Sequence, residues 1–511
     1  MTLAVVTSRA LDGLEAPEVQ VEVQLANGLP SFTLVGLADT EVKEARERVR
    51  AALQQSGFTF PHNKRLTVNL APAELPKESG RFDLPIALGI LAAAGQLDAA
   101  RLAACEFAGE LSLAGELRPV RGALALALAA AQAARGGAAV RCLVLPAASA
   151  RAAAQVPGVD VRAATTLAEV VAALLPGEAA VPLPQAQPWP RPPAVAGPDL
   201  REVKGQAAAK RALEIAAAGG HSLLLIGPPG TGKSMLAQRL SGLLPPLAEA
   251  EALASAALQG LNSSGAEAAP LATRPLRCPH HTASAVALVG GGSPPRPGEI
   301  SLAHGGLLFL DELPQFARGA LEALREPLET GVVTISRAAR RASFPAKFQL
   351  VAAMNPCPCG WLGAPARTGR VCRCTPEAVA RYQGRLSGPL LDRIDLQVEV
   401  LAAPAAELLA LPEGETSAAV TLRVAAARER ALQRQGEPNA RLAVADLDQH
   451  CALDEPAARF LRSAAESLGW SGRRLHRCLK VARTIADLAG SDTINTTHVA
   501  EALQLQRVLP G

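Results

Sequence analysis

The chain has 511 residues, of which 49% are hydrophobic and 19% are charged, a balance that excludes a disordered protein and predicts two or three folded domains. Aromatic residues make up only 3% and the net charge is +4, which excludes both a general basic field and a platform of rings for stacking bases. The first residues lack the pattern of a signal peptide, and the longest apolar runs are too short to cross a bilayer. We therefore expect a cytoplasmic protein with no membrane partner, whose nine cysteines are thiols or metal ligands rather than a disulfide framework.

Residues 1–180 form the first predicted domain. Val19–Leu25 alternates between apolar and polar residues like a half-buried strand, whereas Glu41–Gln55 and Leu84–Leu97 have the apolar spacing of helices. Within this region two stretches resemble the proteolytic domain of Lon-type proteases, which implies an α+β fold: Leu75–Asp83 and Gly109–Gly122.

Lon-type proteolysis needs a serine nucleophile and a lysine base. Near the serine position the chain has Arg81-Phe82-Asp83, and where the lysine would fall it has Ala123-Leu124-Ala125. Lys77 and Ser79 are near in sequence but do not fit the pattern. We expect an inactive protease-like domain that serves assembly or DNA handling.

A proline-rich segment at 181–198 is predicted to be a stiff, partly extended linker, because proline can neither continue a helix nor join a central strand. Residues 199–401 then alternate helical patterns with strand-like runs, which predicts an α/β core with a doubly wound parallel sheet. Its strands are predicted at Ser222–Ile226, Gly306–Leu310 and Phe348–Met354. Residues 402–511 have almost only helical patterns and end in a capped helix over Asn495–Arg507.

The first of these strands runs into a glycine-rich loop and then an apolar helix, which is the context that a P-loop requires. The loop is Gly227, Pro228, Pro229, Gly230, Thr231, Gly232, Lys233 and Ser234. Its backbone N–H groups and the helix N-terminus favour phosphate oxygens. Lys233 is predicted to reach the β- and γ-phosphates of ATP, and Ser234 to bind Mg²⁺.

Polar side chains follow the next two predicted strands. Asp311 and Glu312 come directly after Gly306–Leu310, and we expect Asp311 to hold Mg²⁺ and Glu312 to orient and deprotonate the attacking water. Asn355 follows the neighbouring strand, where it can sense the γ-phosphate. Arg393 lies just before a further strand, and a local ion pair with Asp392 or Asp395 is the alternative to a role in catalysis.

These motifs and three longer strings resemble the magnesium-chelatase-like AAA+ ATPases, specifically the ComM (YifB) family, over essentially the whole chain: Arg277–Ser284, Ala353–Gly360 and Gly388–Asp395. The resemblance implies a homo-hexameric ring with ATP at the subunit interfaces and a C-terminal helical lid. It assigns Asn355 to the sensor-1 position and Arg393 to the arginine finger that reaches a neighbour's γ-phosphate. Ser471-Gly472-Arg473 matches the sensor-2 pattern, which gives Arg473 a contact to the γ-phosphate of its own subunit, with Arg474 as the adjacent alternative.

The segment Gly331–Phe344 has the pattern of a β-hairpin around a basic tip, with Arg337, Arg340 and Arg341. It resembles the pre-sensor-1 hairpin that ring helicases of this branch point into their pore, and its arginines could bind DNA phosphates. The alternative is a solvated basic face, or pairing with acids such as Glu326 and Glu329. A Gly/Pro-rich loop that contains Arg296 corresponds, by resemblance, to a second pore element, the helix-2 insert.

Four cysteines, Cys357, Cys359, Cys372 and Cys374, bracket a short loop after Asn355. They could hold one structural Zn²⁺, or remain reduced or redox-sensitive thiols, because C-x-C is not the usual C-x₂-C spacing. The adjacent His280 and His281 are expected to pack and form hydrogen bonds rather than to bind a metal.

The resemblance implies an ATP-dependent hexameric DNA motor that drives branch migration on single-stranded or branched DNA during natural transformation, in company with recombination proteins. Three alternatives remain: a magnesium-chelatase ATPase subunit, a switch that remodels a protein partner, and a Lon-like protease, which the absent Ser–Lys pair disfavours.

Overall fold

The computed structural model describes residues 2–36, 39–190, 197–262, 273–337, 340–363, 370–401 and 412–506, without the side chains of residues 40, 41, 43, 337 and 340. Several predictions therefore lie outside the described residues: the side chains of Arg337 and Arg340, linker residues 191–196, the boundary at 402 and the helix end at Arg507.

The N-terminal region is built on a seven-stranded mixed sheet in the order β3-β4-β2-β1-β5-β8-β9. The predicted strand is confirmed as part of β2, whose Val19, Val21 and Val23 are fully buried. The strands of this sheet are β1 Thr2–Arg9, β2 Glu18–Ala26, β3 Ser31–Val35, β4 Arg65–Ala71, β5 Cys105–Phe107, β8 Cys142–Pro146 and β9 Val161–Ala164, and a separate pair is β6 Glu110–Leu111 with β7 Leu117–Arg118. Its α-helices are Thr40–Gln55, Asp83–Ala93, Ala99–Leu102, Ala123–Arg135, Ala147–Ala153 and Leu167–Ala173.

The helix that the sequence predicts over Leu84–Leu97 ends at Ala93 instead. Gly95 has φ +76°, and the N–H groups of Gly95 and Gln96 donate to the carbonyls of Ala92 and Leu91. This closure is the Schellman motif, which satisfies the last carbonyls of a helix and turns the chain away.

The structure corrects the expectation of free thiols at one pair. Cys105 and Cys142 are register partners on the parallel strands β5 and β8, and their sulfurs form a disulfide of 2.17 Å. The remaining seven cysteines are free. The two cysteines are 37 residues apart in sequence and become adjacent only through strand pairing. Their spacing in the sequence therefore does not predict the disulfide.

Part of the predicted linker is attached to this sheet. Leu183 is buried in the N-terminal core, and Ala163 and Ala186 donate backbone hydrogen bonds to Pro184 and Val161, respectively. The segment is extended, as predicted, but its first residues continue the edge of the sheet beside β9.

The central region contains a parallel five-stranded sheet in the order β11-β14-β17-β10-β18. Its strands are β10 Leu223–Ile226, β11 Leu276–Arg277, β14 Leu307–Leu310, β17 Gln349–Met354 and β18 Leu396–Glu399; two hairpins add β12 Gly290–Gly291 with β13 Arg296–Pro297 and β15 Val332–Arg337 with β16 Arg340–Pro345. Its α-helices are Ala207–Gly219, Lys233–Leu240, Glu249–Asn262, Ala285–Val289, Glu299–Leu302, Arg318–Glu322, Arg325–Thr330, Pro376–Gln383 and Gly388–Leu391. The carboxyl ends of β10, β14 and β17 meet at one edge, so the polar residues that follow them come together there.

The C-terminal region is helical, as predicted, with helices Ser417–Gln435, Leu447–His450, Glu455–Ser467, Gly472–Ala489 and Thr496–Gln504. Asn495 caps the last helix, also as predicted. A buried hydrogen bond of 2.7 Å between His221 and Thr484 joins this region to the start of β10. Among the described residues no helix is both long and apolar enough to cross a membrane.

Candidate active site

The P-loop connects β10 to the helix Lys233–Leu240 and is shaped by two of its glycines. A Cβ at Gly227 would lie 2.2 Å from the carbonyl oxygen of Val400, so only glycine allows the loop to leave the sheet at this point. Gly232 has φ +89° directly before the helix, a conformation that other residues adopt only with strain. The loop therefore leads directly into the helix N-terminus, which favours phosphate oxygens.

Lys233 lies inside this loop and is almost fully buried. Its Nζ donates to Gly227 O at 2.7 Å, to Pro228 O at 2.8 Å and to Asn355 Oδ1 at 3.1 Å. Burial lowers the pKa of the Lys233 ammonium, while Asp311 and Glu312 act to raise it. Lys233 and Asn355 are thus in contact across the P-loop, as a joint role at the γ-phosphate requires.

Ser234 and Asp311 also meet at this edge of the sheet. The Ser234 hydroxyl donates to Asp311 Oδ2 at 2.6 Å, and the Glu312 N–H donates to Asp311 Oδ1 at 2.9 Å. A hydroxyl and a carboxylate in contact beside a P-loop fit the ligand set that Mg²⁺ takes in P-loop ATPases.

Glu312 has φ +53°, which is unusual for a side chain with a Cβ and is typical of functional sites. Its carboxylate lies half-exposed with Oε2 at 3.5 Å from His281 Nδ1. From the sequence we expect His281 to pack and form hydrogen bonds, with no link to Glu312. The structure adds His281 to the site as a residue able to orient Glu312. Its position in the Arg277–Ser284 string was the one feature of the sequence that could have indicated a functional role for His281. The 31 residues that separate it from Glu312 hide the contact between the two.

Arg393 and Arg473 both form ion pairs with the carboxylate of Glu329. Arg393 Nη2 is 2.8 Å from Glu329 Oε2 and Arg473 Nη2 is 3.2 Å from Glu329 Oε1. Asp392 and Asp395, the alternative partners of Arg393, instead lie near Arg477 at 3.5 Å and 4.0 Å.

Arg474, the adjacent alternative to Arg473, donates to Gln506 O at 2.9 Å and lies over the Trp470 ring. Between the described residues no hydrogen bond or ion pair joins Arg473 to Lys233, Ser234, Asp311 or Asn355. The structure therefore brings Arg473 together with Arg393, the residue assigned to a neighbour's nucleotide. The contact of Arg473 to the γ-phosphate of its own subunit stays a prediction.

Comparison with known proteins decides the family. Residues 199–408 match the model of "Magnesium chelatase, subunit ChlI", residues 21–147 that of "Subunit ChlI of Mg-chelatase", and residues 414–506 that of its C-terminal region. The chain is 49% identical to YifB of Salmonella typhimurium over 99% of this chain and 98% of that protein. It is also 49% identical to the competence protein ComM of Haemophilus influenzae over 98% of this chain and 97% of that protein, and 47% identical to YifB of Escherichia coli over 99% and 98%. The chain belongs to the ComM/YifB family of magnesium-chelatase-like AAA+ proteins. Its family and its P-loop site together make it an ATPase whose cofactors are ATP and Mg²⁺.

In this ComM/YifB chain the four clustered cysteines converge. The sulfur of Cys357 lies 3.3 Å from that of Cys359 and 3.7 Å from that of Cys372, and all four sulfurs, including that of Cys374, lie within 4.8 Å of one another. A tetrahedron with Zn–S bonds of about 2.3 Å has S–S edges of about 3.8 Å. The cluster therefore fits one tetrahedral metal ion, despite the unusual C-x-C spacing.

The predicted basic hairpin of this ComM/YifB chain is confirmed as an antiparallel pair, from Val332 opposite Pro345 to Arg337 opposite Arg340. Arg341 is exposed on β16, and Arg296 is exposed on β13 of the other small hairpin. Both line one cleft of about 570 Å³, which the N-terminal region completes with Arg81 and Arg121. The same cleft has carboxylates in its wall, so its charge is mixed: Asp12, Asp39, Glu74, Glu78 and Glu110.

Lys77 and Ser79 of the N-terminal region do not form a Ser–Lys dyad. Lys77 Nζ donates to the carbonyl of Pro72, and Ser79 Oγ accepts from Arg81 Nε at 3.0 Å. The Ser79 hydroxyl therefore lies beside a guanidinium instead of a lysine base.

Proposed function

We propose that this ComM/YifB family member is an ATP-driven motor that acts as a hexameric ring on single-stranded or branched DNA. In this role it would drive branch migration in the cytoplasm when incoming DNA recombines during natural transformation, with recombination proteins as partners. The name of the Haemophilus relative, competence protein ComM, agrees with that setting.

The observation that carries the proposal is the position of the basic hairpin between the strand that leads to Asn355 and the helix that carries Glu329. β16 ends at Pro345, β17 begins at Gln349, and β17 leads to Asn355, which contacts Lys233. On the other side, the helix Arg325–Thr330 carries Glu329, the partner of Arg393 and Arg473. A hairpin flanked by elements that carry Asn355 and Glu329 would be suited to convert hydrolysis into movement of a bound strand.

Hydrolysis itself follows from the side chains around the P-loop. Lys233 would neutralise charge on the β- and γ-phosphates, and Asn355 would hold the γ-phosphate and the water in line. Glu312 would accept the proton of the attacking water, with His281 orienting the carboxylate. Ser234 and Asp311 would hold Mg²⁺, which supplies electrostatic stabilisation to the leaving phosphate oxygens when bound.

The proposal includes a structural Zn²⁺ on Cys357, Cys359, Cys372 and Cys374. A Cβ at Gly360, which follows the first cysteine pair, would lie 2.6 Å from Pro229 Cδ. The cysteine loop is therefore in direct contact with the P-loop, so an ion that holds this loop would also support the nucleotide site.

The proposal is tested by ATP hydrolysis with and without single-stranded and four-way-junction DNA. We expect DNA to stimulate the wild type and not the Arg337→Ala/Arg340→Ala/Arg341→Ala variant. Affinity for a single strand falls with salt, and each lost phosphate contact makes the slope of log affinity against log salt less steep by about 0.7. The slope of the triple variant should therefore be less steep than that of the wild type by about 2.

A control with the same loss of charge is Arg135→Ala/Arg459→Ala/Arg462→Ala, because these three arginines are exposed on helices outside the hairpin. This control should keep DNA stimulation. Absence of DNA binding and stimulation at low salt would contradict the motor. A DNA-independent rate that rises with a protein partner would then favour a remodelling switch, and a requirement for partner subunits and a porphyrin would favour a chelatase subunit.

A further inference from the structure

Glu329 occupies a junction between the hairpin and the two arginines of the site. It lies in the last turn of the helix Arg325–Thr330, and β15 begins three residues later at Val332. Each of its two carboxylate oxygens has its own guanidinium partner: Oε2 contacts Arg393 at 2.8 Å and Oε1 contacts Arg473 at 3.2 Å. One carboxylate thus joins residues that are 64 and 144 positions away in the chain.

The carboxylate is a competitor for any phosphate that these arginines could bind. Carboxylate and phosphate oxygens accept from the same guanidinium N–H groups, often in the same two-pronged geometry. Arg393 Nη1 donates to Pro389 O at 2.6 Å, while its Nε has no hydrogen-bond partner among the described residues. The hydrogen bond from Arg393 lowers the pKa of Glu329, so the carboxylate is ionised at neutral pH.

The two arginines differ in how far they are already exposed. The Arg393 side chain is 11% exposed and that of Arg473 is 59% exposed, with Glu329 at 48%. A half-exposed carboxylate binds its partners weakly enough to be replaced by another anion. The contact therefore holds both arginines in place without locking them.

The helix that carries Glu329 is tied to the base of the hairpin. The Gly331 N–H donates to Pro327 O at 2.9 Å, and the Ala346 N–H donates to Gly331 O at 2.7 Å. Thr330 Oγ1 also lies 3.2 Å from the Val332 N–H, from which it accepts. A displacement of the two strands therefore shifts the end of this helix, and with it the Glu329 carboxylate.

We propose that Glu329 is a positioning residue through which the hairpin controls Arg393 and Arg473. While the hairpin is unloaded, the carboxylate holds both guanidinium groups on its own subunit. When a bound strand displaces the hairpin, the carboxylate withdraws and the arginines turn to the nucleotide at the subunit interface. The inference rests on the proposed DNA motor, since it explains how strand binding reaches the ATP site.

The test is the Glu329→Gln variant, which removes the charge and keeps the size of the side chain. Without the competing carboxylate, we expect hydrolysis in the absence of DNA to rise about fivefold, as the loss of a half-exposed ion pair allows, chiefly in kcat. Stimulation by DNA should fall towards a ratio of about one, because the arginines are already released.

The matched control is Glu326→Gln, which makes the same change one turn earlier in the same helix. Glu326 is exposed and has no ion pair among the described residues, so this variant should keep the wild-type rates. Glu329→Asp keeps the carboxylate and should remain within about twofold of wild type. In an Arg393→Ala/Arg473→Ala background, where both partners of the carboxylate are gone, the Glu329→Gln change should have no further effect on the rate.

Two results would overturn the inference. In the first, Glu329→Gln has the same rates as Glu326→Gln. In the second, it lowers the basal rate and leaves the stimulation ratio unchanged, which would mean that the carboxylate merely supports the arginines. Failure of the motor itself is distinguishable, because DNA would then fail to stimulate the wild type. If the motor fails in this way, a higher basal rate in Glu329→Gln than in wild type would still support the hold of Glu329 on Arg393.

Discussion

Gly360 provides a sharp test of the contact between the cysteine loop and the P-loop. It has φ +84°, and an added Cβ would lie 2.6 Å from Pro229 Cδ and 2.8 Å from Pro229 Cγ. Gly363 is three residues further along the same loop and has φ +74°, but an added Cβ would meet no atom of the described residues within 4 Å. Alanine at the two positions thus imposes similar backbone strain, and only Gly360→Ala also presses on the P-loop.

The magnitudes separate these two effects. A left-handed backbone costs a residue with a Cβ about 1–2 kcal/mol, and this cost is common to both variants. Overpacking adds about 1–3 kcal/mol in Gly360→Ala, because a proline ring has no flexible end that could move aside. If about 1–2 kcal/mol of this falls on the nucleotide-binding conformation, the Kd for ATP rises about 5-fold to 30-fold.

The assay is a titration with a fluorescent ATP analogue, made in a Glu312→Gln background so that hydrolysis does not disturb the equilibrium. Thermal unfolding of the same proteins should show a loss of stability in both alanine variants. We expect weaker nucleotide binding in Gly360→Ala and unchanged binding in Gly363→Ala. Equal Kd values for the two variants would refute a mechanical link between the cysteine loop and the P-loop.

Three further predictions concern catalysis, the metal and pH. Glu312→Gln should lower the hydrolysis rate about 10²-fold to 10⁴-fold and keep ATP binding, as the loss of a general base does; a rate within about threefold of wild type would exclude that role. Purified protein should contain about one zinc ion per chain by elemental analysis, and Cys372→Ser should reduce this content and lower the Tm, whereas a metal-free wild type of full stability would show that the cluster is a set of thiols. Burial lowers the pKa of His304 to about 4, below its ordinary value of about 6.5. The folded state therefore binds fewer protons at this residue than the unfolded state does. As a result, the protein should lose stability as the pH falls from about 6.5 towards 4. By linkage the loss at pH 5 is about 2 kcal/mol; unfolding measured between pH 5 and 7.5 should show a smaller pH dependence in His304→Gln, and identical profiles for the two proteins would contradict this.

The parts of the site that lie within one strand–loop–helix unit could be predicted from the sequence. The P-loop, Asp311 with Glu312, and Asn355 each follow a buried apolar strand, and parallel strands end at a common edge. Their convergence needs no knowledge of side-chain packing. The hairpin was predictable for the same reason, because its alternating pattern is local.

The contacts between distant parts of the chain could not be predicted. Glu329 was an ordinary acid in the sequence, and only the packing of the Gly472–Ala489 helix against the central region brings Arg473 to it. His281 meets Glu312 through the fold alone. The Cys105–Cys142 pair depends on the register of two parallel strands, which no local pattern specifies.

The most direct test of the account is movement of DNA coupled to hydrolysis. A labelled four-way junction is incubated with wild type, with Glu312→Gln and with the triple arginine variant, and strand products are followed over time with ATP and with a non-hydrolysable analogue. We expect products only for wild type with ATP. Wild-type protein that hydrolyses ATP but leaves the junction intact, with or without DNA stimulation, would contradict it.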